Sequence, residues 1–187
     1  MLEFKQHATF YGESRDMQAY LDKLAVNLEK IPDFKTDEIP PFCKSLSPDQ
    51  WYEYGVETFR LTVPGDLTDI VEDPEASSGK LARLYSTRNW LLQLQIPRGS
   101  WKIMVSLRIN PKVGKPAGKA LEIGLYNEAL GQTEHVQEVD GEGFSGEGFQ
   151  WFEFGEVTLL TGYLYIAGLG NPDINYIEVE RIILLRK

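Results

Sequence analysis

The sequence predicts an all-β fold, a two-sheet antiparallel β-sandwich preceded by one N-terminal helix and a proline-rich linker. From residue 51 onward, apolar and polar side chains alternate with a period of two, and turn residues interrupt the pattern about every eight to twelve positions. No long helical period separates these segments, which disfavours a parallel β/α architecture. With 187 residues, 42% of them hydrophobic, the chain is long enough for one such domain and an appendage.

The N-terminal helix is predicted over residues 13–30. Its apolar side chains recur at helical spacing, at Met17, Tyr20, Leu21, Leu24, Ala25 and Leu28. Such a stripe needs a partner, so we expect it to pack on the rest of the chain or on a neighbouring domain. Residues 31–50 contain four prolines and no sustained period, and they are predicted to form a linker between residues 1–30 and a sandwich domain at 51–187.

The clearest strand is predicted at 101–110, where every second residue from Trp101 to Ile109 is apolar. Trp101 is therefore predicted to lie in the core. The preceding strand, 89–96, is joined to it by Pro97-Arg98-Gly99-Ser100, a sequence typical of a hairpin turn. Further strands are predicted at 55–63, 80–86, 119–126, 133–139, 149–158, 161–168 and 175–185.

The composition disfavours several functions. With 28 acidic and 19 basic residues the net charge is -9, so the chain lacks the basic excess that attracts nucleic acids and anionic membranes, and neither partner is expected. Two histidines and one cysteine are too few for a Cys/His zinc site or a convincing nucleophile–base pair, and no catalytic residue is predicted. Nothing near the N-terminus has the apolar run of a signal peptide.

Aromatic residues make up 12% of the chain and concentrate after residue 85. Proteins recognise sugars by packing an aromatic face against the C–H surface of the ring, while polar groups bind its hydroxyls. If Leu164 and Ile166 face the core, the neighbouring tyrosines face outward. The predicted ligand-binding residues are Trp90, Tyr126, Trp151, Tyr163 and Tyr165. The alternative for each is packing in the sandwich core.

A structural metal site is predicted near residues 71–80. This segment combines carboxylates, a proline and a glycine in a turn before a strand. Asp73 or Glu75, backbone carbonyls and Glu180 from a later strand would supply the oxygen ligands that Ca²⁺ prefers. A metal-free turn is the alternative.

Several segments of the sandwich region share their order and spacing with a known family. They are 73–80, the strand with Trp90, and the closing segments 149–157, 163–168 and 176–184. Together they resemble the galactose-binding-like jelly rolls that serve as carbohydrate-binding modules. In that fold an acidic residue of the last strand often supports a structural calcium, and the matching position is Glu180.

The sequence Phe-Tyr-Gly-Glu-Ser-Arg-Asp-Met-Gln-Ala-Tyr-Leu-Asp-Lys-Leu at 10–24 resembles the segment that closes the catalytic barrel of α-glucuronidase-like glycoside hydrolases of the DUF4838 type. Those proteins carry a C-terminal sandwich. The barrel is absent here, so the resemblance implies a binding role alone.

The resulting hypothesis is a non-catalytic carbohydrate-binding module that binds polysaccharide and works with a glycoside hydrolase domain. It would be extracellular or periplasmic if it belongs to a secreted glycan-degrading protein. One alternative is an accessory sandwich that docks onto a catalytic domain, which burial of the aromatic residues would favour. Another is a small glycosidase, which would need two carboxylates at the separation that glycosidases use. Acidic residues available by composition are Glu138, Asp140, Glu142, Glu147 and Glu153.

Overall fold

A computed structural model describes residues 39–146 and 148–187, apart from the side chain of Pro48. The helix predicted over 13–30 lies outside these residues. The chain divides into two units, residues 1–44 and residues 45–187. The described part of the first unit contains one 3₁₀ helix, Pro41–Cys43.

The second unit is an all-β sandwich of two antiparallel sheets, as the sequence predicted. Its strands are β1 (Trp51–Gly55), β2 (Arg60–Leu61), β3 (Thr68–Glu72), β4 (Lys80–Tyr85), β5 (Arg88–Gln95), β6 (Gly99–Pro111), β7 (Lys119–Asn127), β8 (Gln132–Asp140), β9 (Gln150–Leu159), β10 (Gly162–Leu169) and β11 (Ile174–Arg186). Short 3₁₀ helices lie at Pro48–Gln50, Val56–Thr58 and Glu142–Phe144. Among the residues described, none belongs to a helix long and apolar enough to span a bilayer.

The two sheets differ in size. The six-stranded sheet has the order β3-β4-β11-β6-β9, and β1 pairs with β11 beside β4. The five-stranded sheet has the order β2-β5-β10-β7-β8. The longest pairing joins β6 to β11, from Pro111 opposite Ile174 to Trp101 opposite Arg186. These two strands therefore form the centre of the larger sheet.

The core lies between the sheets and is built by alternate residues of each strand. Ile103 and Val105 of β6 are fully buried against Leu92 and Leu94 of β5 and their neighbours in one apolar cluster. Trp101 is 5% exposed, and its indole N–H donates to the Pro97 carbonyl at 2.8 Å. The prediction that Trp101 is a core residue is confirmed.

The start of the sandwich was predicted less accurately. The strand expected at 55–63 is interrupted by the 3₁₀ helix Val56–Thr58, which the Thr58 hydroxyl stabilises by donating to the Gly55 carbonyl at 2.7 Å. Strand β3 was not predicted, because it lies at the edge of its sheet and alternates weakly, with Ile70 exposed.

The hairpin predicted at 97–100 is wrong. Strands β5 and β6 belong to different sheets, so this turn carries the chain across the sandwich. Proline and glycine mark a chain reversal, but they do not specify which sheet the next strand joins. Here both strands are apolar on one face, and these faces pack against each other across the core rather than side by side.

Candidate functional site

Four of the five aromatic residues predicted to bind ligand lie together on the outer face of the five-stranded sheet. Leu164 and Ile166 of β10 are fully buried in the core, so Tyr163 and Tyr165 point to the opposite side. Tyr163 pairs with Tyr126 of β7, and Ala167 of β10 pairs with Trp90 of β5. Three adjacent strands thus bring Trp90, Tyr126, Tyr163 and Tyr165 into contact, and we call these four residues the aromatic cluster.

The rings of the aromatic cluster form two stacked pairs. The centroids of Trp90 and Tyr165 are 4.5 Å apart with 16° between the ring planes, and those of Tyr126 and Tyr163 are 5.2 Å apart with 24°. The pairs meet edge to face, with the Trp90 and Tyr126 centroids 5.6 Å apart. Trp90, Tyr126 and Tyr163 are partly exposed, so this face presents aromatic surface to solvent.

Tyr165 is the buried base of the cluster, with 1% of its surface exposed. A Cβ atom at Gly124 would lie 2.5 Å from the Tyr165 ring, so the ring rests directly on this glycine of β7. The Tyr165 hydroxyl donates to Glu122 Oε1 at 3.0 Å. Burial, together with this hydrogen bond, raises the pKa of Tyr165 to about 12. Tyr165 therefore positions Trp90 from below instead of facing solvent.

An open groove of about 480 Å³ runs beside Trp90. Trp90 and Glu122 form its walls and Ala167 its floor, while Arg88 and Asn89 continue its lining along β5. The Arg88 Nε–H donates to the Leu169 carbonyl at 3.2 Å, which orients the guanidinium group. The groove thus combines an aromatic wall with an acid, an amide and a guanidinium, a combination suited to a ligand with both apolar and hydroxyl surfaces.

The polar residues of this groove were not predicted, although the sequence contains a signal for Glu122. In strand β7, Leu121, Ile123 and Leu125 are buried in the core. Alternation then places Glu122 and Gly124 on the same outer face as Tyr126, by the rule that placed the tyrosines of β10. The neighbouring position of Glu122 and Trp90 depends on the order β5-β10-β7, which local sequence does not contain.

Trp151 is not part of the aromatic cluster. It lies on β9 in the six-stranded sheet, and the Arg181 guanidinium carbon is 5.2 Å from its ring centroid. Alternation correctly separated Trp151 from Phe154, which is fully buried, but it does not specify the sheet to which the strand belongs. Trp151 therefore stays a predicted ligand residue apart from the others.

The three carboxylates predicted to hold calcium are engaged by protein groups. Asp73 and Glu75 each accept from Arg108 at 2.5 Å. Glu180 accepts the Ser77 N–H at 2.8 Å and the Ser106 hydroxyl at 2.6 Å. Across 39–146 and 148–187, no three His, Cys, Asp or Glu side chains converge as metal ligands would. As these side chains are arranged, they do not fit a calcium ion. Calcium binding itself is not tested by this arrangement and stays a prediction.

Comparisons with known proteins support the fold. No protein-family model matches the chain, and no curated protein matches it either. A solved structure described as a GH26-CBM35 β-(1,4)-mannanase from Podospora anserina matches with 15% identity and a TM-score of 0.51, over 74% of this chain and 28% of that chain. A structure described as the Agl-KA catalytic domain matches with 12% identity and a TM-score of 0.53, over the same shares. This chain thus corresponds to little more than a quarter of each, and the likeness shows the β-sandwich fold alone.

Proposed function

We propose that residues 45–187 form a non-catalytic carbohydrate-binding module of the galactose-binding-like type, with its binding site in the groove beside Trp90. The supporting observation is the Trp90 ring, which stacks at 4.5 Å on buried Tyr165 and is itself partly exposed at the groove. Pyranose rings carry C–H groups on their faces. These apolar faces pack on aromatic rings, because removing both surfaces from water is favourable.

The platform is pre-organised. Tyr165 is held by burial, by its hydrogen bond to Glu122 and by its contact with Gly124, so the ring stacked above it has little freedom to lose. A rigid site loses less conformational entropy on binding than a mobile one. Glu122 uses Oε1 to accept from Tyr165, and no described residue bonds its Oε2, which is then available to accept from a sugar hydroxyl.

The ligand we propose is a polysaccharide and not a single sugar. Tyr126 and Tyr163 continue the aromatic surface beyond Trp90 across β7 and β10, with the Trp90 and Tyr163 centroids 6.1 Å apart. Asn89 and Arg88 continue the groove on its other side. A ligand with several sugar units contacts both parts, whereas one unit reaches only the groove itself.

The absence of catalysis is part of the proposal. Glycosidases use two carboxylates on opposite sides of the scissile bond. Of the described residues that line the groove, Glu122 alone is a carboxylate, and it is tied to Tyr165. We further propose that the module acts beside a separate catalytic domain, as the same fold forms 28% of the longer mannanase chain.

Affinity electrophoresis against plant, algal and host polysaccharides tests this function, followed by calorimetric titration with oligosaccharides of the retained polymer. We expect Trp90→Ala to weaken binding about tenfold or more, about 1.4 kcal/mol, because it removes the aromatic wall. The matched control is Tyr52→Ala, which removes an aromatic ring that is 41% exposed and lies outside the groove. Absence of retention on every polymer, or equal binding by Trp90→Ala and wild type, would contradict the proposal.

A further inference from the structure

The outer face of the six-stranded sheet contains a charged cluster around one buried carboxylate, at the segment predicted to bind calcium. Glu178 of β11, 1% exposed, lies between Arg83 of β4 and Arg108 of β6. Its Oε1 accepts from Arg83 Nη2 at 2.8 Å and its Oε2 from Arg108 Nε at 2.8 Å. We call Arg83, Arg108, Asp73, Glu75 and Glu178 the arginine–carboxylate cluster.

Arg108 uses all three of its side-chain nitrogens in this cluster. Besides its Nε bond to Glu178, its Nη1 donates to Glu75 and its Nη2 to Asp73. The Phe149 ring centroid lies 4.6 Å from the guanidinium carbon. One side chain therefore connects the 73–79 loop to β6 and β11, which is the connection that a bound cation would otherwise make.

We infer that the Arg108 guanidinium replaces the structural calcium that the sequence predicted, and that the sandwich needs no metal at this position. A guanidinium is a planar cation with five donors, which suits several carboxylates at once. Calcium requires six to eight oxygens at about 2.3–2.6 Å, and Asp73, Glu75 and Glu180 are already bonded to protein donors.

The charge of the cluster agrees with this role. Three carboxylates surround two guanidinium groups, so the protein itself neutralises most of the negative charge. Burial by itself would lower the pKa of Arg108, but hydrogen bonds to Glu178 and Asp73 outweigh it and raise the pKa above its ordinary value. Arg108 is therefore a permanent cation inside the cluster.

Thermal unfolding with millimolar CaCl₂ and with EDTA tests the inference. We expect the same Tm for the wild type under both conditions, because Asp73, Glu75 and Glu180 already accept hydrogen bonds from protein donors. We expect Arg108→Met to lower Tm by about 6–20 °C, since breaking a buried ion pair leaves its partner charges uncompensated. Arg108→Lys keeps the positive charge but loses the forked donors of the guanidinium. Its Tm should therefore lie between those of the wild type and Arg108→Met. Lys102→Met, which removes a cation from the same strand, is the control.

A rise of wild-type Tm with calcium and its reversal by EDTA would overturn the inference, and this measurement does not depend on whether Arg108→Met folds. Arg108→Met with the Tm of Lys102→Met would also overturn it. Glycan binding enters none of these measurements, so the inference stands or fails independently of the proposed function.

Discussion

On both outer faces of the sandwich, the alternation along each strand directs every second side chain outward. The two faces differ in the kind of side chain that they present there. On the six-stranded sheet, the arginine–carboxylate cluster pairs its charges within the protein, with Glu178 bonded to two arginines. On the five-stranded sheet, the aromatic cluster stacks on itself but leaves Trp90 partly exposed beside a groove. An internally paired face stabilises the fold, whereas a face with exposed rings and an available acceptor suits binding.

The largest effect that should separate the faces comes from Glu178→Ala. Removing this carboxylate leaves Arg83 and Arg108 partly uncompensated in a buried site, and we expect a loss of about 3–5 kcal/mol in the free energy of unfolding, measured in urea. Glycan affinity of the folded fraction should not change, because the groove lies on the other sheet. A fall in affinity together with stability would show that the two faces are coupled.

Gly124→Ala should act on the opposite face. The added Cβ lies 2.5 Å from the Tyr165 ring, so the ring and the stacked Trp90 must shift. We expect a destabilisation of about 1–3 kcal/mol, a changed near-ultraviolet circular dichroism spectrum and weaker glycan binding. Gly143→Ala is the matched control, because a Cβ there meets nothing within 4 Å. Equal spectra for the two variants would mean that Gly124 is not the support of Tyr165.

The two faces should also respond to opposite extremes of pH. Because the folded pKa of Tyr165 is about 12, above the ordinary 10.0, its contribution to stability is complete below pH 10.0 and is lost as pH rises through 12. Phenolate absorbance should include a step near pH 12, and Tyr165→Phe should remove that step while preserving the stacked ring. If Tyr165→Phe instead removed a step at another pH, the pKa of about 12 would belong to a different tyrosine.

Acid should affect the arginine–carboxylate cluster instead. Burial raises the pKa of Asp73, but the Glu75 N–H and the Arg108 guanidinium more than offset it, so the net pKa is lowered below 3.8. A lowered pKa contributes stability above the unfolded value, and this contribution is lost as pH falls through the folded value. Unfolding by urea between pH 5 and pH 3 should show a smaller loss in Asp73→Asn than in wild type. Equal losses would count against an ionised Asp73 in the cluster.

The smallest effect is expected for the exposed pair Lys102–Glu153 on the outer face of the six-stranded sheet. Its atoms are 2.8 Å apart, but the Glu153 side chain is 54% exposed. Exposed pairs contribute about 0.2–1 kcal/mol, so Glu153→Gln should lower the free energy of unfolding within that range and less still in high salt. A loss as large as that of Glu178→Ala would remove the contrast between surface and buried charges.

Periodicity alone determined which side of a strand a residue occupies. It placed Trp101 in the core and Tyr163 and Tyr165 on the face opposite Leu164 and Ile166. This information is local, because successive side chains of an extended chain point to opposite faces whatever the strand pairs with.

Only the tertiary structure decided which strands become neighbours. It placed Trp151 on the other sheet from Trp90, made the turn at 97–100 a crossing between sheets, and brought Arg108 to Asp73 and Glu75 from more than thirty positions away. Those outcomes depend on how the apolar faces of all the strands pack together, and no short segment contains that information.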